Sequence, residues 1–205
     1  MADADGVLGT LERWSPTLFL VGGVAVIGFA VSMAVIMADS PPRSIFGGVG
    51  FTLSFLALLG LYPGLADESP LLARAGAVFA VLGAVGFTVL FVKGVVQVAG
   101  MTPPAMLAPL AILNIAGILL GFLLFGAASL RTDAHAQTLG VLLLMPSLVF
   151  AVNFVRVAVL GAWSPSWAPA LLGGLQALAM LSIGYVLRTE SLPHESAEQP
   201  TDTAA

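Results

Sequence analysis

Apolar residues in this chain fall into six long runs, and short breaks rich in proline, serine, aspartate and arginine separate them. The clearest run covers residues 137–163, where an almost unbroken apolar stretch holds Pro146, Asn153 and a single cation, Arg156. A helix that is apolar all round belongs in lipid, and about 20 such residues cross a bilayer. The pattern predicts an all-α fold, a polytopic bundle of six transmembrane helices. The spans are expected at about 17–38, 45–66, 71–98, 105–130, 137–162 and 168–187.

The breaks read as helix starts. Ser15-Pro16, Ser69-Pro70 and Thr102-Pro103 each pair a capping hydroxyl with a first-turn proline, and Ser44 can cap the second span after Asp39-Ser-Pro-Pro-Arg43. Trp163 and Trp167 bracket the last connection, as expected of a turn at a membrane face. Before the first span, Val7, Leu8, Leu11 and Trp14 recur at helical spacing, so residues 1–15 are expected to form a short amphipathic helix on the membrane surface. Asp3, Asp5 and Glu12 argue against a cleaved signal peptide there. Residues 189–205 carry Glu190, Glu195, Glu198 and Asp202 without apolar periodicity and are expected to form a disordered acidic tail.

Composition fits a lipid solvent: of 205 residues 59% are hydrophobic and only 9% charged, against about 25% in soluble domains. Mean hydropathy is +1.03. The net charge is −4 and Lys93 is the one lysine beside six arginines, a balance that resembles halophilic archaeal proteins. No basic patch exists to displace counterions from phosphates, so nucleic acid is not an expected partner. Cysteine is absent, and His135 and His194 have no ligand spacing, so neither a metal nor another cofactor is implied. Arg13, Arg74, Arg131 and Arg188 mark one side of the bundle, while Arg43, Lys93 and Arg156 lean to the other. The positive-inside rule then puts both termini in the cytoplasm of a cell-membrane protein.

Without a hydrophobic drive between lipid-immersed helices, small residues must let backbones approach. Gly76, Ala80, Ala84 and Thr88 form such a ridge on the third span; Gly117 and Gly121 do so on the fourth, Gly28 and Ser32 on the first, and Gly173 and Ala177 on the sixth. A tight bundle is expected, and a homodimer through the Gly117 face stays open. Gly60 and Gly76 in the second hairpin answer Gly126 and Gly140 in the next, a candidate internal repeat.

At about 1.5 Å per helical residue, Asn114 and Gln176 lie roughly 15 Å inward from the side opposite the termini. Asn153 is nearer that face, Arg156 follows it by one turn, and Lys93 pairs with Gln97 at i+4. Each amide can serve as an interhelical hydrogen bond, and each cation can snorkel to the interface. Together they also make a candidate polar site with cations, amides and no intramembrane carboxylate, which suits an anionic lipid headgroup or small anionic solute. The missing carboxylates, histidines and cysteines argue against proton-coupled transport, cation conduction, intramembrane proteolysis by paired aspartates or zinc, and cysteine-based transpeptidation. An enzyme is not expected.

Gly121-Phe-Leu-Leu-Phe-Gly-Ala-Ala-Ser-Leu-Arg131, then Gly140-Val-Leu-Leu-Leu-Met-Pro146, with Gly60-Leu-Tyr62 earlier, resembles small uncharacterised prokaryotic multi-pass membrane proteins. The resemblance implies the six-span architecture and no chemistry. The first functional expectation is a structural or accessory membrane component that binds lipid or a membrane protein partner. The alternative is a small transporter or channel-like protein for an anionic or neutral solute.

Overall fold

The computed structural model describes residues 2–36, 40–103, 108–132, 135–161 and 167–195, and among these the backbone is helical with no strand. In chain order the helices are α1 (Ala2–Ile36), α2 (Pro41–Gly60), the short α3 (Tyr62–Ala66), α4 (Pro70–Val98), α5 (Ala108–Ala116), α6 (Phe122–Ser129), α7 (Gln137–Leu160) and α8 (Ala168–Glu195). One π turn, Gly117–Gly121, joins α5 to α6 into a single rod. Six of these rods are long and apolar enough to cross a membrane. The chain is a multi-pass membrane protein.

The spans pack mainly on their neighbours in sequence, and α8 closes on α1, which makes a ring of six. Antiparallel hairpins explain the order, because each break is too short to reach past the adjacent helix. Within the ring, α2 turns its apolar face inward. Phe55 is fully buried and reaches between α4 and the α5–α6 rod, where added methyls on Gly83 and Gly117 would lie 2.6 and 3.2 Å from its ring. Phe122 lies 5.6 Å from Phe55, and both are fully buried with Phe125, Leu58, Leu139 and Leu143. This plug fills the end of the ring nearer the termini.

Small residues do line the packed faces of the ring, although the ridge expected on the third span does not stay on one face along its whole length. Gly76 meets the Phe125 ring, Ala80 is fully buried, and Ala84 is only partly so. Gly83 and Gly86 carry the rest of the contact of α4, and Thr88 points outward to share a hydroxyl contact with Thr52 at 3.4 Å. Gly173 packs on Ala30 and Met33 of α1. Gly117 and Gly121 face Gly83, Phe55 and Ala80 inside the bundle, so that face is not free to pair with a second copy. The repeat does not extend to packing either. Gly126 and Gly140 meet within their hairpin, whereas Gly60 meets Leu11 and Gly76 meets Phe125.

Two ends differ from expectation. Residues 2–15 are not a separate surface helix, because α1 runs through Pro16 without a break. A proline there removes the amide that would bond the Glu12 carbonyl and sets its ring against that carbonyl, a local cost that the helix absorbs. Ser15, expected as a cap, instead donates its buried hydroxyl to the Ala57 carbonyl of α2 at 2.8 Å, which fastens the passage. At the other end α8 continues past residue 187 to Glu195. Glu190, assigned to a disordered tail, accepts from His135 Nδ1 and the Ala136 amide at 3.2 Å each. This contact ties His135 and Ala136, just before α7, to α8. Residues 196–205 of the expected tail lie outside the described residues.

Candidate functional site

The half of the ring away from the termini is not filled. A partly open cavity of about 320 Å³ lies there, and every one of the six spans contributes to its wall. It exists because the plug of large side chains stops at Phe55, while α1 and α8 meet through Ala30 and Gly173 and leave room beside them.

Its polar wall comes from three helix segments. On α7, Asn153 and Arg156 are one turn apart, and the Asn153 Oδ1 accepts from Arg156 Nη2 at 2.9 Å and Nε at 3.2 Å. The amide fixes the guanidinium and leaves its remaining N–H donors unspent. On α8, Gln176 is 5% exposed and reaches the Pro146 carbonyl at 3.5 Å, a weak bond at that length. On α2, Arg43 stands in the first helical turn with its Cζ 5.9 Å from the Phe29 ring centroid, within reach of a cation–π attraction. None of the described lining residues is acidic. The first turns of α2 and α8 and the last turns of α1 and α7 all border the cavity, so helix dipoles of both signs meet there and the positive charge comes from the two arginines.

The apolar wall is aromatic. Phe51 and Phe87 stack at 4.6 Å and 28°, and Phe29 stands edge-on to Phe51 at 6.1 Å. With Ile118 and Val149 they form the inner end of the cavity.

Of the residues singled out by sequence, Asn153, Arg156 and Gln176 meet here, and Asn114, Lys93 and Gln97 do not. Asn114 matches Gln176 in depth, but its Oδ1 is pressed against Gly86 of α4 and lacks a hydrogen-bond partner. A site shared by Asn114 and Arg156 is therefore not formed. Gln97 also keeps a buried, unpartnered Oε1 on α4, outside the cavity. Arg43 was missed because it follows two prolines and reads as a loop charge; Pro41 and Pro42 in fact open α2 and set Arg43 on its first inward-facing turn.

Below the cavity, Ser147 Oγ lies 3.0 and 2.9 Å from the carbonyls of Ile118 and Leu119. The single hydroxyl proton is shared between the two carbonyls, which ties α7 to the π turn. Ser147→Ala is expected to lower stability by about 1–3 kcal/mol, the cost of stranding buried acceptors, read as a lower melting temperature in detergent.

Comparison with family models, curated proteins and solved structures finds no match for the chain.

Proposed function

We propose that this protein is a small carrier of the cell membrane, with both termini cytoplasmic, that takes an anion into its central cavity. The observation that carries this reading is the convergence of Arg43 and Arg156 on one cavity with two amides and, among the described residues, no lining carboxylate. A partly buried cation gains from a counter-charge, and neither arginine, each only partly exposed, has a carboxylate partner among the described residues. A mobile anion supplies it. An accessory role would leave the polar groups paired singly in a closed bundle, whereas here Arg43, Asn153, Arg156 and Gln176 share one space.

The chain has no cysteine, so single cysteines can be placed without background. A membrane-impermeant thiol reagent added outside intact cells is expected to label cysteines replacing Arg43, Asn153 and Gln176, and to spare one replacing Asn114. If only the Arg43 position reacted, the cavity would be closed to water and the accessory reading would take its place.

A further inference from the structure

The charges in the cavity are not spread evenly. Arg43 stands two residues inside the start of α2, and Phe51 follows eight residues later, about 12 Å deeper along the helix. On α7 the order is the same, with Arg156 and Asn153 nearer the helix end and Val149 one turn deeper. The outer part therefore carries both guanidiniums, and the inner part is closed by the Phe51–Phe87 stack. The polar group at that depth is the Gln176 amide, eight residues inside the start of α8 and turned toward the Pro146 carbonyl. A compact, strongly hydrated ion would satisfy the outer part and leave the apolar end holding unfavourable water. A ligand whose own apolar body fills that end removes the mismatch.

The geometry points to an organic carboxylate with an apolar body as the ligand, its carboxylate between Arg43 and Arg156 and its body against Phe51 and Phe87. This rests on the anion-binding reading above. Planar guanidinium forks match a carboxylate in two-point fashion, and the aromatic stack offers flat faces to a ring or chain. Such a molecule can come from the aqueous phase or from the bilayer, as a free fatty acid does; the chemistry at the arginines is the same.

The test is a calorimetric titration of the full-length protein in detergent with sodium benzoate, acetate, inorganic phosphate and the neutral benzamide at fixed ionic strength. Benzoate is expected to bind at least tenfold tighter than acetate, phosphate or benzamide. Acetate or phosphate matching benzoate would keep the anion reading and overturn the apolar body. Benzamide matching benzoate, or no binding by any of the four, would overturn both. Two variants, one that removes a charge and one that is nearly isosteric, separate the halves of the cavity. Arg43→Gln should weaken acetate and benzoate alike, about tenfold, whereas Val149→Thr should weaken benzoate about threefold and leave acetate unchanged. An unchanged benzoate-to-acetate ratio in Val149→Thr overturns the placement of the body. Lys93→Gln, outside the cavity, should bind as the parent does. Laurate added to the series distinguishes the sources: affinity far above that of benzoate assigns the ligand to the bilayer, and affinity near or below it assigns the ligand to solution. Either supports the carboxylate.

Discussion

Arg156→Glu is expected to weaken anion binding by more than 100-fold while leaving the bundle folded. Among the described residues the guanidinium hydrogen-bonds to Asn153, three residues earlier on the same helix, so no interhelical hydrogen bond there depends on it. Its loss removes a charge-assisted hydrogen bond worth about 1.5–3 kcal/mol, and the new carboxylate repels the ligand, which together exceed the roughly 2.8 kcal/mol of a 100-fold change. Titration with benzoate reads the loss, and an unaltered thermal melt shows that folding is intact. Asn153→Ala should sit between parent and reversal, because the guanidinium remains but is no longer held in place. If the reversed variant bound benzoate as well as the parent, Arg156 would not face the ligand.

Gly117→Val is expected to destabilise the bundle by about 3 kcal/mol or more, the upper end for overpacking. The first added carbon would lie 2.5 Å from Gly83 Cα and 3.2 Å from the Phe55 ring. Backbone on the opposing helix cannot swing away as a side chain does, so the α5–α6 rod would have to leave α4. At roughly 2–4 °C per kcal/mol for a chain of this size, the melting temperature should fall by about 6–12 °C. Gly174→Ala supplies the contrast. A methyl there meets nothing within 4 Å, and alanine is favoured over glycine in a helix by about 0.5–1 kcal/mol. Equal melts for the two variants would contradict the packing described.

The six spans were legible because hydropathy over some twenty residues reports the solvent directly, and no tertiary contact can hide it. The helix ends were less so. Ser15-Pro16 carries the same signature as Ser69-Pro70, yet only the second starts a helix; the difference is the Ala57 carbonyl that receives the Ser15 hydroxyl, and that partner lies 42 residues away. Glu190 likewise looked like a solvated tail charge until His135 was brought beside it by the closure of α8 on the ring.

Within the site, depth was readable and direction was not. Counting residues placed Asn114 level with Gln176, but the angle about the helix axis decides whether an amide faces the cavity or a neighbouring glycine. That angle depends on which helix lies alongside, and α4 presents Gly86 at that level. Asn153 and Arg156 were recovered because two polar groups one turn apart share a face whatever the helix rotation. Arg43 had its own signal, two prolines at the first helical positions immediately before it, which fix the helix start and with it the inward turn.

An anion seated between Arg43 and Arg156 is the common premise of the binding outcomes above. Crystals of the full chain soaked in sodium iodide offer the most direct view, since iodide scatters anomalously and needs no assumption about the ligand's body. An anomalous peak inside the central cavity, within contact distance of both guanidiniums and lost in Arg156→Glu, is the expected result. Peaks confined to the outer surface of the ring, with none in the cavity, would contradict it.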